Sequence, residues 1–263
     1  MTGAASTDVV LHEVRDGVAK LTLNRPDRLN AWTPEMEARY FGLLEHSVDD
    51  PAVRVIVVTG AGKGFCAGVD MEALQGISGG GTFAGSGKPQ TFPLTIAKPI
   101  LAAINGACAG LGLVQALMCD LRFAAAGAKF TTAFVRRGLV AEHGSSWILP
   151  RLVGPARALD LLLSGRVVLA EEALAMGIVN RVVAPDTLLD TAMDYARGLA
   201  AHCSPAAMAA IKHQVYRHSE TDLATAMRES NELMAASLQR PDFREGVASF
   251  VERRPPRFAP LGK

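Results

Sequence analysis

The stretch VRVIVVTGAGKGFCAGVD, residues 53–70, combines an apolar run, a glycine-rich turn and a closing acidic residue. Its first part, Val53 to Gly60, is short, continuously apolar and ends in glycine, which is typical of a strand covered on both faces. A second stretch, PILAAINGACAGLGLVQALMCD at residues 99–120, repeats the order of apolar run and glycine turn, and a helix start is expected after each turn. This repetition predicts an α/β core.

Outward from these stretches the same alternation continues. VVLHEV and VAKLTLN (residues 9–14 and 18–24) alternate as two strands of a hairpin, and TPEMEARYFGLLEHSVDD (33–50) predicts a helix with Thr33 as its N-cap and Pro34 in its first turn. DLRFAAAGAKF (120–130) predicts a further strand region. From Pro155 onward apolar residues follow helical spacing, so the second part of the chain is predicted to be mostly helical.

Composition limits the possible functions. The 263 residues are 49% hydrophobic and 20% charged, with a formal net charge of +1, which predicts a large buried core and no nucleic-acid partner. No apolar run reaches about 18 residues, so no membrane span is predicted. The N-terminal segment lacks the pattern of a secretory signal, and the four cysteines form no C-x-x-C pair. We therefore expect a cytoplasmic protein with reduced thiols and no metal site.

One segment interrupts the pattern. GISGGGTFAGSGKPQ, from Gly76 to Gln90, is glycine-rich and carries few large apolar residues, so we expect a mobile loop. A surface insertion and a lid over a binding cleft are both compatible with it.

Several familiar glycine motifs are absent. GAGKG at residues 60–64 lacks the Ser or Thr and the glycine spacing of a phosphate-binding loop, and no G-x-G-x-x-G follows a strand. No G-x-S-x-G elbow joins a predicted strand to a helix, and Ser145 and Ser146 are predicted to open a helix instead. These absences argue against a nucleotide triphosphatase, a dinucleotide dehydrogenase and a serine hydrolase of the common type.

The two glycine turns offer a different chemistry. Backbone N–H groups in the first turn of a helix have no acceptor within that helix, and small residues let a ligand approach them closely. Two such donors aimed at one point would form an oxyanion hole. Close packing of helices against strands would explain the same glycines, so both interpretations stay open at this level.

Taken together and in this order, the motifs resemble the crotonase (enoyl-CoA hydratase/isomerase) superfamily. The resemblance runs over NRPDRLNAW (24–32), residues 53–70, KPILAAINGACAGLGLVQALMCDLRFAA (98–125) and the segment GLVAEHGSSWILPRLVG (138–154) with its continuation to residue 183. It implies a fold of stacked ββα turns over residues 1–200, containing the active site, and a helical oligomerisation region over 201–263. It also implies a homotrimer or a dimer of trimers, a role in fatty acid metabolism, and an acyl-CoA thioester as substrate, with CoA as part of the substrate and no separate cofactor.

The resemblance also implies roles for individual residues. The amides of Val69 and Leu111 would form the oxyanion hole, within turns that contain Gly68 and Gly110. Arg28, Leu29, Ala67 and Asp70 fall where relatives hold the adenine and pantetheine portions of CoA, although an ordinary surface position would equally explain Arg28. Gly68 and Gly110 are expected to contact CoA as well. The Leu111 side chain must point away from the thioester or narrow the pocket.

This sequence departs from the hydratase pattern at two positions. Relatives that hydrate enoyl-CoA efficiently carry glutamates where this chain has Val114 and Phe134. Glu142, four residues after Gly138, matches the catalytic acid of several double-bond-shifting relatives. An N-cap role for Glu142 is the structural alternative.

The neighbours of Glu142 carry further expectations. Leu139, Val140 and Phe134 are expected to shield its carboxylate partly from water. His143 is expected to point elsewhere, in packing or beside the catalytic residue. Salt bridges are favoured over a pocket role for Arg136 and Arg137.

These observations predict an enoyl-CoA isomerase with one glutamate as proton shuttle. A weak hydratase that uses Glu142 alone is one alternative, and a CoA-binding scaffold protein without catalysis is another.

Overall fold

The computed structural model describes residues 8–82 and 85–262. The beginning of the N-terminal segment and two residues of the glycine-rich segment, 83 and 84, lie outside the described residues. No described helix has the length and apolarity needed to cross a membrane.

Strands and short helices alternate up to about residue 183, and helices follow. The strands are β1 (Val10–Arg15), β2 (Val18–Leu23), β3 (Val55–Gly60), β4 (Gly64–Cys66), β5 (Ile100–Ile104), β6 (Ala107–Ala109), β7 (Leu121–Ala125), β8 (Lys129–Thr131), β9 (Val168–Leu169) and β10 (Arg181–Val183). The α-helices are α1 (Pro34–Asp49), α2 (Met71–Ser78), α3 (Leu111–Leu117), α4 (Ser145–Val153), α5 (Pro155–Ser164), α6 (Ala170–Met176), α7 (Leu188–His202), α8 (Pro205–His218), α9 (Leu223–Leu238) and α10 (Pro241–Val251). Short 3₁₀ helices span Pro26–Arg28, Phe92–Thr95 and Val135–Arg137.

The strands form two sheets. The larger has the order β1-β2-β3-β5-β7-β10, and the smaller has the order β4-β6-β8-β9. β1 and β2 are the predicted antiparallel hairpin, and the remaining pairs of the larger sheet are parallel. Consecutive strands such as β3 and β4, or β5 and β6, lie in different sheets and lead into a helix, so the chain forms stacked ββα turns. The predicted α/β fold of stacked ββα turns, with its helical C-terminal part, is confirmed.

The larger sheet is covered on both faces, as its apolar strands predict. Every residue of β3 is buried. On one face Ile56 and Val58 belong to the main core with α1 and the smaller sheet, and on the other Val55 and Val57 pack with α7. Small residues at Ala192, Ala196 and Ala200 let α7 approach the sheet closely.

The helix boundaries follow local chemistry. Thr33 is the N-cap of α1, where its hydroxyl accepts a hydrogen bond from the Met36 amide at 3.2 Å, and Pro34 occupies the first turn. The domain boundary predicted at residue 200 lies in the last turn of α7. Arg54, directly before β3, donates one hydrogen bond to the Ala200 carbonyl at 3.0 Å and another to the Phe258 carbonyl at 2.6 Å. This side chain ties both ends of the helical region to the sheet.

The glycine-rich segment is more ordered at its ends than its composition predicts. Its first residues, Gly76 to Ser78, complete α2. At its other end the buried Glu37 carboxylate accepts hydrogen bonds from the Ser86 amide at 2.8 Å and from the Gln90 side chain. The Trp32 indole donates to the same carboxylate at 3.3 Å. The prediction of a loop was therefore wrong for Gly76 to Ser78, which belong to α2. Residues 85–90 form no helix or strand, as predicted, but Glu37 supplies a buried acceptor that anchors Ser86 and Gln90.

The cysteines are distributed as small core residues. Cys66, Cys108 and Cys119 are buried and Cys203 is partly buried, all as free thiols. Burial raises the pKa of the Cys66 thiol to about 12, against smaller opposing effects of the Gly68 amide and Arg25. At neutral pH this thiol packs beside the first glycine turn as a neutral group.

Candidate active site

The first glycine turn connects β4 to α2. Gly68 has φ +100°, and a Cβ there would lie 3.0 Å from the Ala109 carbonyl oxygen, so both conformation and space require glycine. The Trp32 amide donates to the Gly68 carbonyl at 2.7 Å, and the Asp70 amide donates to the Trp32 carbonyl at 2.9 Å. Within the described residues the Val69 amide, between these two bonds, has no protein acceptor.

The second glycine turn connects β6 to α3. Gly110 has φ +49°, and its amide donates to the Thr131 carbonyl at 3.0 Å. Leu111 then begins α3, and the first intrahelical bond runs from the Val114 amide to the Gly110 carbonyl. The Leu111 amide therefore belongs to the unpaired first turn, and no acceptor for it occurs among the described residues.

The two turns meet at one cavity of about 140 Å³. A Cβ on Gly110 would lie 3.9 Å from the Gly68 Cα, which shows how closely the two backbones approach. The cavity is lined by Ala67, Gly68, Val69, Leu74, Ala109, Gly110, Leu111, Thr131, Thr132, Ala133, Phe134, Arg137, Leu139 and Glu142. Leu111 is itself part of this wall.

Glu142 lies on the loop that precedes α4, and its main chain is fixed. Its carbonyl accepts hydrogen bonds from the Ser145 amide at 3.0 Å and the Ser145 hydroxyl at 2.7 Å. His143 and Gly144 both have positive φ, and Gly144 is the N-cap of α4. The alternative that Glu142 caps this helix is therefore wrong, whereas the prediction that Ser145 and Ser146 open it is confirmed.

The Glu142 carboxylate is less shielded from water than expected. Val140 is 77% exposed and Leu139 is 41% exposed, so in the single chain they shield it little, and 33% of the Glu142 side chain is exposed. Of the two expected places for His143, the structure has the one beside Glu142, since its Nε2 lies 3.3 Å from the Glu142 Oε2. The imidazole therefore contacts the carboxylate directly.

No second carboxylate borders this cavity within the described residues. Phe134 lines the wall and is buried, and Val114 is buried in α3. Both side chains are hydrocarbons without an ionisable group, so neither can transfer a proton.

The residues predicted to hold CoA fall into two groups. Ala67, Gly68 and Gly110 line the cavity. Arg28 and Leu29 do not line it, and the exposed Arg28 guanidinium lies 3.5 Å from the Glu72 carboxylate.

Asp70 is also outside the cavity and has a structural role. It is the N-cap of α2, accepts a hydrogen bond from the Glu72 amide at 3.0 Å, and pairs with Arg25 at 2.9 Å. Burial alone would raise the pKa of this carboxyl, but these hydrogen bonds and the charges on Arg25 and Arg28 bring it below its usual range.

Arg137 is the lining residue whose role differs most from the expectation. Neither it nor Arg136 forms a salt bridge with any described residue. Arg136 donates to the Ser164 carbonyl at 3.2 Å, whereas Arg137 lines the cavity. Leu74 and residues 131–133 also line the cavity, and no motif in the sequence indicates this.

Comparison with known proteins is consistent with this geometry. A family model described as enoyl-CoA hydratase/isomerase matches residues 13–260. The 1,2-epoxyphenylacetyl-CoA isomerase of Escherichia coli (strain K12) is 37% identical over 259 residues, 95% of this chain and 98% of that protein. The crystal structure of a probable enoyl-CoA hydratase/isomerase from Mycobacterium abscessus has a TM-score of 0.88 at 31% identity, over 96% of this chain and 99% of that one. An enoyl-CoA hydratase structure from Mycobacterium marinum is 52% identical, with a TM-score of 0.70 over 80% and 98% of the two chains.

Proposed function

This chain belongs to the enoyl-CoA hydratase/isomerase family of the crotonase superfamily and is an enzyme, and from that premise we propose that it moves the double bond of an enoyl-CoA. The reaction shifts a β,γ double bond into the α,β position beside the thioester. One observation carries the proposal: Glu142, Val69 and Leu111 border one cavity, and no other acid among the described residues does.

The two amides would bind the thioester oxygen. Removing an α-proton from a thioester places negative charge on that oxygen, and two N–H donors at fixed positions stabilise it without reorganisation. Loss of one such donor typically costs about 3–4 kcal/mol of transition-state stabilisation. The glycine turns supply the donors, and Val69 and Leu111 contribute only their main chain to this role.

Glu142 would carry the proton. Its carboxylate takes a proton from the α-carbon, which leaves a dienolate, and the resulting carboxylic acid returns the proton to the γ-carbon. One group suffices because the proton is conserved and no water is added.

The test is Glu142→Gln, which keeps the shape of the side chain and removes its basicity. We expect turnover of a β,γ-enoyl-CoA to fall by about 100- to 10,000-fold, as is usual for loss of a general base. Glu35→Gln, an exposed carboxylate on α1, serves as the control and should retain activity. Full activity of a correctly folded Glu142→Gln variant would contradict the proposal.

Hydration is the second candidate, and the contact between His143 and Glu142 favours it. An imidazole 3.3 Å from the carboxylate supplies a second ionisable group beside the cavity, which a reaction with water can use. The product separates the two functions, since a hydratase forms 3-hydroxyacyl-CoA from an α,β-enoyl-CoA. The scaffold hypothesis is not retained for a chain that belongs to this enzyme family.

We also propose that the helical region forms a homotrimer or a dimer of trimers. Exposed apolar side chains on α9 and α10 support this, among them Leu223 at 78% and Phe250 at 86% exposure. A role in fatty acid metabolism and a cytoplasmic location stay predictions.

A further inference from the structure

An arginine, Arg137, lines the cavity as well as the carboxylate residue Glu142. Arg137 ends the 3₁₀ helix Val135–Arg137 and lines the same cavity as Glu142. The only hydrogen bond that its side chain makes to a described residue runs from Nη1 to the Ala133 carbonyl at 3.3 Å. A guanidinium has five N–H donors, so most of those on Arg137 have no protein acceptor in the described part of the chain.

Other arginines of this chain do have carboxylate partners. Arg166 lies 2.8 Å from Asp160 and 2.6 Å from Glu172, and Arg254 lies 2.6 Å from Glu245. No carboxylate of the described residues comes within 4.0 Å of Arg137, and the residues outside the described ranges include no Asp or Glu. Glu142 therefore does not neutralise the guanidinium across the cavity.

The wall beside Arg137 is otherwise apolar, with Leu74, Phe134 and Leu139. A hydrocarbon acyl chain gains nothing from a cation there, whereas a carboxylate pairs with the planar guanidinium through two parallel hydrogen bonds. The location of Arg137 indicates which part of an acyl-CoA would contact its guanidinium. Arg137 shares the cavity with Glu142, while Arg28 and Asp70, the polar residues expected near CoA, lie outside it.

We propose that Arg137 binds a carboxylate on the acyl portion of the substrate, so that the enzyme acts on enoyl-CoA thioesters with an acidic acyl group. The inference rests on the proposed function, because it concerns the same cavity and the same reaction.

The experiment compares two substrates that differ only in charge. One is a β,γ-enoyl-CoA whose acyl chain ends in a carboxylate, and the other is its methyl ester. We expect kcat/KM of the wild type to be about 10- to 100-fold higher for the acid, the range of a charge-assisted hydrogen-bonded pair. In Arg137→Leu the ratio of the two kcat/KM values should fall toward one, mainly through KM for the acid. Arg137→Lys, which keeps the charge but not the paired geometry, should give an intermediate ratio.

Arg136→Leu is the matched control. Arg136 is the adjacent arginine and is exposed like Arg137, but it contacts Ser164 and does not line the cavity, so this variant should keep the wild-type ratio. The proposal is overturned if the wild type does not prefer the acid. It is also overturned if Arg136→Leu changes the ratio of the two kcat/KM values as much as Arg137→Leu does. It is also overturned if Arg137→Leu weakens acid and ester by the same factor, because the cation would then contact CoA, for instance one of its phosphates.

A binding measurement separates this proposal from the proposed function. Calorimetric titration with the saturated acid and its saturated methyl ester, both as CoA thioesters, needs no turnover. Tighter binding of the acid that disappears in Arg137→Leu supports the acidic substrate class even if Glu142→Gln leaves turnover unchanged. Conversely, loss of ester turnover in Glu142→Gln supports the isomerase chemistry even if Arg137 shows no preference.

Discussion

His12 on β1 has an imidazole that the fold keeps partly away from water. It packs edge-on against His46 of α1, with ring centroids 5.6 Å apart, and its Nε2 has no hydrogen-bond partner among the described residues. Burial lowers the pKa of His12 from its usual 6.5, and the positive charges of His46 and Arg39 lower it further, against a smaller effect of Asp50. The unfolded chain therefore binds a proton at His12 more readily than the folded chain does.

This difference predicts a loss of stability on acidification. As pH falls through 6.5, His12 is protonated first in the unfolded state, so the free energy of unfolding decreases. We expect His12→Phe, which keeps an aromatic ring against His46, to reduce the fall in melting temperature between neutral and mildly acidic pH. Melting curves of the exposed His213→Gln variant at the same pH values provide the comparison. An unchanged pH dependence in His12→Phe would show that other groups cause the loss.

Among the site residues, Glu142 could be assigned from the sequence but Arg137 could not. Glu142 follows a motif at fixed spacing, and the structure brings it to the cavity of the two glycine turns. Arg136 and Arg137 are chemically identical neighbours, and only the local backbone decides between them. In a 3₁₀ turn residues three apart lie on the same side, so Arg137 shares the side of Phe134 that faces the cavity, whereas Arg136 does not.

At the scale of elements, the contact between α3 and β4 depends on one glycine. A Cβ on Gly112 would lie 2.7 Å from the Cys66 Cβ, against a buried strand that has no room to move. We expect Gly112→Ala to lower the free energy of unfolding by about 1–3 kcal/mol, the usual cost of overpacking a core. Because Leu111 begins the same helix, turnover should fall as well. Urea denaturation and the isomerase assay measure the two effects.

Gly42 is also a helical glycine, but its replacement by alanine is expected to change stability in the opposite direction. Gly42 lies in α1, is exposed, and has nothing within 4 Å of its hypothetical Cβ. Alanine should therefore raise the free energy of unfolding by about 0.5–1 kcal/mol, because it restricts the unfolded chain. If Gly112→Ala raises the free energy of unfolding as Gly42→Ala is expected to do, the packing argument for Gly112 fails.

The elements themselves were largely predictable from local patterns. Thr33 and Pro34 marked the start of α1, and the apolar run of β3 indicated burial on both faces. The ordered end of the glycine-rich segment was not predictable, because Ser86 and Gln90 are held by Glu37, about fifty residues earlier in the chain. The composition of a segment indicates the conformation that it prefers in isolation. It does not indicate which distant residues the segment will contact.

At the scale of the whole molecule, the helical region leaves apolar surface uncovered. α9, which the structure describes completely, has no buried residue, and Phe250 and Val251 of α10 are 86% and 73% exposed. We expect sedimentation velocity to show a trimer or a hexamer for the wild type, since such a surface is typical of subunit contacts. Phe250→Glu should shift the protein toward the monomer, because the contact would then bury an unpaired charge.

Leu163→Glu tests where the contact lies. Leu163 on α5 is 70% exposed, so its replacement makes the same chemical change on a different surface. Dissociation by Leu163→Glu but not by Phe250→Glu would assign the contact to α5, and a monomeric wild type would contradict the proposed assembly altogether.

The α/β core was predictable because both glycine turns follow apolar runs, and the stacked ββα turns were predictable from the resemblance of these motifs to the crotonase superfamily. The arrangement of α8, α9 and α10 was not, since amphipathic spacing predicts a helix without its partner. For α9 the exposed residues Leu223, Met227 and Met234 follow helical spacing, yet no core of the single chain covers them.

The hydrogen bond from Arg54 to the Phe258 carbonyl has a consequence for protein synthesis. The two residues are 204 positions apart, and chains grow at about 5–20 residues per second, so Phe258 is made roughly 10 to 40 s after Arg54. Once residue 183 has been made, the nascent chain contains every strand of both sheets but still lacks the bond from Arg54 to Phe258. A chain stalled on the ribosome shortly before Phe258 is therefore expected to be protease-sensitive near β3, and completing the chain through Phe258 should remove that sensitivity.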